Sequence, residues 1–419
     1  MSTQTRRPTP LLFTHYGAEG IRGSERCLLD LLTYIDRERF APVLWCNAET
    51  MATAARALDV PVQVSRFSIL LDWTPPRYQF GRFIRLVREG RRLVRQHDVR
   101  LLHSNSVAPT QWLFPVARSA RIPLLTHVHT QYAQRERFTS GLHQTTLAVG
   151  VTHGCVEGLI EDGFPVSRTT TIYNGVDLSA WEGLDQRGLR ASLGIDPGAI
   201  VITQAGSLVH LKGHDVLLQA FAKLRRLRPQ CHLLIVGDGP DRAAIEQFSR
   251  ELQLDSAVHF LGFIPGPPGV VFRDATDVTV SPSRAEGFGL TVIEAGAAGC
   301  PVVATETTGM TEIITNEESG LIVPIEDPPR LMDALLRLVD DPALRKRMGA
   351  ALQRRVQERF LVSSYVRNLE SAYEQLLAIP KTALGWRGSA WKGQFGMYRR
   401  WTAQVLGRRL ARLIRPNAG

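Results

Sequence analysis

Short apolar runs of strand length alternate with stretches of helical periodicity along most of the chain. This alternation fills the first half and begins again at residue 200. The predicted strands are residues 11–13, 42–45, 99–103, 124–129 and 146–149 in the first half, and residues 200–204, 233–236, 258–261, 278–280 and 302–304 in the second. A rhythm of this kind is typical of parallel sheets covered by helices. The sequence therefore predicts an α/β protein with two such sheets.

The length agrees with two domains, because 419 residues exceed what one hydrophobic core usually organises. We predict an N-terminal domain over 1–180 and a C-terminal domain over 186–363, followed by a helix over 364–379 that returns toward the first domain and a tail over 380–419. Two domains imply a cleft, which is a common place for a ligand.

The composition is that of a globular protein, with 44% hydrophobic and 21% charged residues. No apolar run approaches the roughly 18 residues that a membrane-spanning helix needs, and the first run is too short for a signal-peptide core. The five cysteines stand singly, without the spacing of zinc ligands, so neither disulfides nor structural zinc are expected. These features predict a cytoplasmic protein.

The basic charge is concentrated in the tail. The net charge is +10, and residues 380–419 carry nine basic residues and no acidic one, which leaves about +1 for the rest. Five aromatic residues and one apolar helical side accompany these cations, a pattern typical of helices at an anionic membrane surface. We therefore predict that residues 381–419 bind the inner face of the cell membrane, with a disordered extension or a helix docked on the protein as alternatives. A nucleic-acid partner is not expected, because no nucleic-acid-binding module accompanies the charge.

Two glycine-containing loops follow predicted strands and precede helices. The first contains Gly17, Gly20 and Gly23, and the second runs from Gly206 to Gly213 and contains Lys212. Glycine allows backbone N–H groups to approach phosphate oxygens, and a lysine there can reach a diphosphate. The alternatives are ordinary turns and a solvated lysine.

A third segment, residues 281–295, contains two glutamates eight positions apart. Glu286 lies in a glycine-containing loop, and Glu294 lies beyond the apolar start of a helix. A carboxylate accepts hydrogen bonds from pairs of sugar hydroxyls, and N–H groups at the start of a helix bind anionic oxygens. This segment is therefore a candidate for binding a sugar nucleotide.

These segments together resemble the family 4 (group 1) retaining glycosyltransferases, which have the GT-B fold of two Rossmann-like domains with parallel sheets facing across a cleft. The spacing of Glu286 and Glu294 resembles the E-x7-E signature of that family. Other segments stand in the family's order over roughly residues 10–378: Gly23-Ser24-Glu25-Arg26, His129, Tyr173-Asn174-Gly175-Val176-Asp177, Lys212-Gly213, Val236-Gly237-Asp238-Gly239-Pro240, and Gly309 with Glu312.

The resemblance implies a role for each matching residue. His129 and Glu286 would be the catalytic residues beside the transferred sugar, and Glu294 would hold the donor ribose. Lys212 would bind the diphosphate together with N–H groups of the first glycine loop and of the segment before Glu294. The donor-binding residues expected in this way are Gly23, Ser207, Lys212, Phe288, Gly289, Leu290, Thr291 and Glu294.

Two departures from the family concern the positive charges that would bind the donor phosphates. Many members have arginine where this chain has Ser207, and the first glycine loop reads Gly20-Ile21-Arg22-Gly23 instead of a Gly-Gly pair. Arg22 is a candidate for supplying the missing charge. His127 and His129 share one side of the predicted strand, and either a metal ion or a purely structural role is an alternative for this pair.

The expected reaction is metal-independent transfer from a nucleotide-diphosphate sugar to a hydroxyl acceptor, in polysaccharide, lipid-linked oligosaccharide or glycoconjugate synthesis. No D-x-D motif is present, so neither a metal nor another cofactor is expected. A nucleotide-sugar epimerase of the same fold and an inactive sugar-nucleotide-binding protein remain as alternatives. A nicotinamide dehydrogenase fits less well, because the chain lacks G-x-G-x-x-G with an acid about 20 residues later.

Overall fold

The computed structural model describes residues 7–71, 78–264 and 266–386, together with residues 399, 402 and 403. The chain divides into two compact units. The first unit consists of residues up to Ile172 and from Val366 onward, and the second of Tyr173–Tyr365. Residues 173–180, which the sequence analysis assigned to the first domain, thus belong to the second unit.

The first unit contains a parallel sheet in the order β3-β2-β1-β4-β5-β6-β7, with seven strands among the described residues. The strands are Thr9–His15 (β1), Phe40–Cys46 (β2), Val62–Val64 (β3), Leu101–Ser104 (β4), Leu124–Val128 (β5), Leu147–Gly150 (β6) and Thr169–Thr171 (β7). The helices are Gly23–Tyr34 (α1), Glu49–Arg56 (α2), Phe80–Gln96 (α3), Thr110–Ala120 (α4), Gln134–Thr139 (α5) and His153–Glu161 (α6).

The second unit repeats this plan with the order β10-β9-β8-β11-β12-β13, again all parallel. Its strands are Ile200–Ala205 (β8), Cys231–Val236 (β9), Val258–Gly262 (β10), Val278–Ser281 (β11), Val302–Thr305 (β12) and Leu321–Val323 (β13). Its helices are Leu189–Ser192 (α7), His214–Leu227 (α8), Arg242–Glu251 (α9), Pro268–Ala275 (α10), Leu290–Ala297 (α11), Thr308–Ile313 (α12), Pro328–Asp340 (α13) and Pro342–Arg359 (α14). The α/β prediction with two parallel sheets is therefore confirmed.

The strand order reverses direction once in each sheet, between β1 and β4 in the first unit and between β8 and β11 in the second. In open parallel sheets, ligands bind beyond the carboxyl ends of the strands at such a reversal. The loops after these four strands contain most of the candidate residues, so the topology places them where this fold binds ligands.

The last long helix, Val362–Leu377 (α15), packs on the first sheet through its second half. The Tyr373 hydroxyl lies 2.7 Å from His103 Nδ1 in the buried core, and Glu370 accepts a hydrogen bond from Arg39 at 2.9 Å. A short helix, Lys381–Leu384 (α16), follows, and Leu384 is buried. The predicted tail therefore begins with a segment that belongs to the first unit, while almost all of residues 387–419 lie outside the described part of the chain.

Helix α3 explains the second basic stretch of the sequence. Leu86, Gly90, Leu93 and Val94 face the core, whereas its arginines lie on the other side. This is the arrangement of a core-facing helix with a solvated basic face. None of the described helices is long and apolar enough to cross a membrane. The five cysteines are buried and form no disulfide.

Candidate active site

The loop between β8 and α8, residues 206–213, is called the lysine loop. It ends in a tight turn in which Gly213 has φ +64° and begins α8. A Cβ atom on Gly213 would lie 2.0 Å from the carbonyl oxygen of Pro282, so only glycine fits there. Gln204 donates a hydrogen bond to the Lys212 carbonyl at 2.9 Å. These contacts hold the lysine loop against the loop that follows β11.

The loop after β11, residues 282–289, is called the glutamate loop. The Arg284 backbone N–H donates to the Leu211 carbonyl at 2.8 Å, and its guanidinium binds both Asp215 carboxylate oxygens at 2.9 and 2.7 Å. The guanidinium also contacts Glu326 at 2.7 Å. The hydrogen bonds that the guanidinium donates to Asp215 raise the pKa of Arg284, so its charge is permanent. Arg284 thus fastens the glutamate loop to the lysine loop and to α8.

Lys212 and Glu286 form an ion pair through Nζ and Oε2. Their side chains are 27% and 17% exposed, so solvent or a ligand reaches both. Lys212 and Glu286 are far apart in the sequence of the second unit, and the structure brings these two predicted residues together. A diphosphate arriving at Lys212 would replace the Glu286 carboxylate as the counter-charge and release it for a sugar hydroxyl.

Helix α11 begins directly at the end of the glutamate loop. Gly289 is its N-cap with φ +119°, and Leu290 and Thr291 are half-buried in its first turn. The backbone N–H groups of a first helical turn lack partners inside the helix and attract anions. Glu294 lies one turn further along and is buried, with 7% of its surface exposed.

The side chain of Phe288 packs in the core. Its ring is buried and packs edge-on against Phe360 at a centroid distance of 5.8 Å. Helix α12 approaches so closely that a Cβ on Gly309 would lie 2.1 Å from the Phe288 carbonyl oxygen. The Gly309 N–H also donates to the Glu286 carbonyl at 3.1 Å. Ser207, where the sequence departs from the expected family pattern, is half-buried in the lysine loop.

The first unit places His129 immediately after β5, half-buried and close to two other histidines. Its ring lies 4.3 Å from that of His127, which lies 5.7 Å from that of His103. Burial lowers the pKa of His129 and of His127 well below 6.5, and lowers that of His103 to about 3. All three imidazoles are therefore neutral at pH 7.

The first glycine loop is less open than the sequence suggests. The Gly17 N–H donates to Asn47 Oδ1 at 3.0 Å, and the Gly20 N–H donates to Thr50 Oγ1 at 3.0 Å. These two groups already have partners, while Gly23 is exposed as the first residue of α1. Arg22 is also exposed. Asn47 and Thr50 follow β2, and nothing in their local pattern signals this contact.

Sequence reasoning assigned no role to the residues that support the candidates. Arg284 and Asp215 fix the glutamate loop, and His15, Glu25 and Asn105 surround His129. The available signal was position, because His15 ends β1 and Asn105 follows β4, at the reversal of the strand order. Among the described residues, no group of three or more histidine, cysteine or acidic side chains could hold a metal ion.

The lowered pKa values of these three histidines predict that acid destabilises the first unit. Unfolding would return His103, His127 and His129 to ordinary pKa values near 6.5, so below that pH the unfolded chain binds more protons than the folded one. The contribution of these histidines to the free energy of unfolding is thus fully present above about pH 7. It falls as the pH drops toward 4, by about 1.4 kcal/mol per pH unit for each histidine.

Urea unfolding at several pH values, followed by tryptophan fluorescence, measures this loss. His103→Gln removes one of the three groups and should flatten the pH dependence by about one third relative to wild type. The same slope in both proteins would contradict the assignment of His103 as a buried neutral histidine.

Two family models match the chain. The model described as glycosyl transferases group 1 matches residues 185–355, and the model described as glycosyltransferase family 4 matches residues 21–180. The two matches together include most of both parallel sheets.

Curated relatives align with about half of the chain. D-inositol 3-phosphate glycosyltransferase of Saccharomonospora viridis is 35% identical over 230 residues, which are 52% of this chain and 52% of the relative. N-acetyl-alpha-D-glucosaminyl L-malate synthase of Bacillus anthracis is 27% identical over 237 residues, 57% of this chain and 61% of the relative. The chain thus matches only about half to three fifths of the length of these relatives.

Two solved structures align over nearly their whole length. Anabaena HepE in complex with UDP and glucose superposes with a TM-score of 0.74 at 21% identity, covering 87% of this chain and 99% of that chain. Sucrose-phosphate synthase from Thermosynechococcus elongatus gives a TM-score of 0.72 at 22% identity, covering 88% and 99%. At this level of identity the likeness establishes a shared fold.

Proposed function

Because this chain belongs to the family 4 glycosyltransferases of group 1, we propose that it transfers a sugar from a nucleoside diphosphate to a hydroxyl acceptor with retention of the anomeric configuration. The observation that carries the proposal is the meeting of Lys212, Glu286 and the first turn of α11 at the reversal of the second sheet. A cation, a carboxylate and open N–H groups together suit a sugar joined to a diphosphate.

Lys212 and the N–H groups of Leu290 and Thr291 bind the diphosphate and stabilise the negative charge that grows as it leaves. Glu294 accepts hydrogen bonds from the ribose hydroxyls. The diphosphate displaces Glu286 from Lys212. The Glu286 carboxylate then accepts a hydrogen bond from a hydroxyl of the transferred sugar. His129 contributes a further hydrogen bond to that sugar.

The transfer step breaks the bond between the anomeric carbon and the leaving phosphate oxygen and forms a bond to the acceptor oxygen on the same face of the sugar. The acceptor's proton passes to the leaving phosphate oxygen. Lys212 and the helix N-terminus supply the positive charge, so the step is proposed to need no metal ion. Glu286 is not assigned as a nucleophile, because no pair of carboxylates flanking the broken bond, as in glycosidases, is identified among the described residues.

Candidate substrates follow from the similar proteins. A UDP-sugar is the first donor to test, since HepE, which has a similar fold, was crystallised in complex with UDP and glucose. A phosphorylated inositol is the first small acceptor, since a relative is named for it. A lipid-linked acceptor is the second class, consistent with the basic aromatic tail.

Product formation tests the proposal. Purified protein is incubated with UDP-, GDP- and ADP-sugars and both acceptor classes, with EDTA present, and products are analysed by mass spectrometry and proton NMR. We expect one donor to give a glycoside of retained configuration. An inverted product would contradict retention, loss of activity with EDTA would contradict metal independence, and interconversion of the donor without acceptor would favour an epimerase.

We further propose that the tail binds an anionic membrane surface from the cytoplasmic side. Truncation should remove residues 387–419 and keep α16, because Leu384 is packed in the first unit and its carbonyl accepts from Arg118 at 3.4 Å. The truncation deletes eight cations, each contributing about 1 kcal/mol on anionic lipid.

Co-sedimentation with vesicles measures the effect. Full-length protein should bind phosphatidylserine vesicles and not pure phosphatidylcholine vesicles, and the truncated protein should bind at least roughly 100-fold more weakly. Equal binding of both proteins to phosphatidylserine would contradict this role.

A further inference from the structure

We propose that Glu25, His15 and Asn105 are positioning residues that hold His129 as the tautomer protonated on Nε2, so that Nδ1 is left as a hydrogen-bond acceptor for a hydroxyl of the transferred sugar. The part that concerns the sugar rests on the proposed function. The four side chains come from α1, from the end of β1 and from the loops after β4 and β5, and they form one chain of hydrogen bonds within the first unit.

The chain of hydrogen bonds begins at the Glu25 carboxylate, a group that can only accept hydrogen bonds. Glu25 Oε1 lies 2.8 Å from His15 Nε2, and both side chains are buried. Glu25 Oε2 accepts from the Ser24 hydroxyl at 3.1 Å and from the Arg22 N–H at 3.2 Å. Burial raises the pKa of Glu25, but the hydrogen bond from His15 and the others outweigh it, and the pKa is lowered. An ionised Glu25 requires the proton of His15 to be on Nε2.

The next link fixes the amide of Asn105. Its Nδ2 lies 3.0 Å from the Ser24 carbonyl oxygen, which can only accept, so this atom is the amide nitrogen and not the oxygen. The same nitrogen lies 3.1 Å from His15 Nδ1, which is free to accept because the proton of His15 is on Nε2. The amide oxygen of Asn105 is therefore the atom that faces His129.

The last link determines His129. Its Nε2 lies 3.4 Å from Asn105 Oδ1, an oxygen that can only accept, so Nε2 carries the proton. Burial, together with the neighbouring His127 and His15, keeps the ring neutral. A neutral imidazole has one proton, and Nδ1 is thus an acceptor. This tautomer suits a sugar hydroxyl, which can donate, and does not suit a phosphate oxygen.

Gly17 fits the same chain. A Cβ at this position would lie 2.4 Å from Glu25 Oε1 and 2.6 Å from His15 Nε2. Any larger residue would separate these two atoms or displace the loop. The first glycine of the loop therefore makes room for the buried contact between Glu25 and His15, while its N–H is bound by Asn47.

Nitrogen-15 NMR of histidine-labelled, donor-free protein tests the inference without requiring activity. Long-range correlations distinguish the two neutral tautomers and the charged form, and His129→Gln assigns the signals. We expect wild-type His129 to be protonated on Nε2 alone at pH 7.5. A proton on Nδ1, or a charged ring, would overturn the inference. Because this measurement is made on the wild-type protein, it does not depend on the folding of the other variants.

Variants then test the chain link by link. Asn105→Ala should remove the preference for the Nε2 proton, whereas Asn105→Asp keeps an oxygen opposite His129 and should retain that proton. Asn47→Ala is the matched control, because Asn47 binds both the N–H and the carbonyl of Gly17 without contacting His15 or His129. An unchanged His129 tautomer in Asn105→Ala would overturn the role of Asn105.

With donor and acceptor identified, kinetics give the second measurement. Asn105→Ala should lower kcat roughly 10-fold, the effect of about one neutral hydrogen bond, and leave the donor KM within about twofold. An unchanged kcat together with the expected tautomer change would show that His129 does not contact the sugar. Absence of any transferase activity in wild type would contradict the proposed function and leave the tautomer result intact.

Discussion

Lys212→Ala is expected to lower kcat/KM by about 10² to 10³, the range observed when one preorganised group that stabilises a developing anion is removed. The reason is that Lys212 is the cation at the end of the lysine loop, in contact with Glu286 and two residues before the start of α8. In the proposed reaction, its loss removes the charge opposite the leaving diphosphate, and it leaves the Glu286 carboxylate without its counter-charge. Initial rates over a range of donor concentrations measure the effect.

The matched control is Lys223→Ala, which removes an exposed lysine of the same unit on α8. This variant should keep wild-type rates, because its charge is solvated and far along the helix from the lysine loop. Equal losses in both variants would point to a general effect of net charge. Wild-type activity in Lys212→Ala would contradict its place at the diphosphate.

Gly213→Ala should destabilise the second unit by about 3 kcal/mol or more and displace the lysine loop. Gly213 has φ +64°, a conformation that costs a non-glycine residue about 1–2 kcal/mol. In addition, its Cβ would lie 2.0 Å from the Pro282 carbonyl oxygen, so the two loops must move apart. Calorimetric unfolding and donor binding measure the two consequences.

Gly194→Ala separates these contributions. Gly194 has nearly the same φ, +66°, but a Cβ there meets no atom within 4 Å. It should cost only the backbone term, about 1–2 kcal/mol, and leave donor binding unchanged. Similar losses of stability in the two variants would show that the lysine and glutamate loops tolerate the extra atom and are not held in close contact.

The sequence predicts the elements with strong local signals. Strands with buried apolar runs, such as Leu124–Val128 and Ile200–Ala205, stand close to their predicted positions. The family and the GT-B fold, which the resemblance implied from collinear motifs, are confirmed. The three strands that were missed are three residues long and lie at the edges of their sheets. One of them, Thr169–Thr171, consists only of threonine and has no apolar run to detect.

The supporting contacts of the candidate site were beyond the reach of local patterns. Asn105 meets His15 across 90 positions of the chain, and Arg284 meets Asp215 across 69. Such pairs depend on which strands become neighbours, and motif spacing does not encode the strand order. The glycine loop shows the same limit, because the partners of its N–H groups, Asn47 and Thr50, come from the next βα connection.

The central claim is that the second unit binds a nucleotide sugar through Lys212 and Glu294, and calorimetric titration of the donor tests it most directly. UDP, GDP, ADP and their sugars are titrated into wild-type protein, Lys212→Ala, Glu294→Ala and the Lys223→Ala control, each with EDTA present. We expect one nucleotide to bind wild type and the control equally, and both other variants at least 10-fold more weakly. Binding to none of these nucleotides, or equal binding to all four proteins, would contradict the claim.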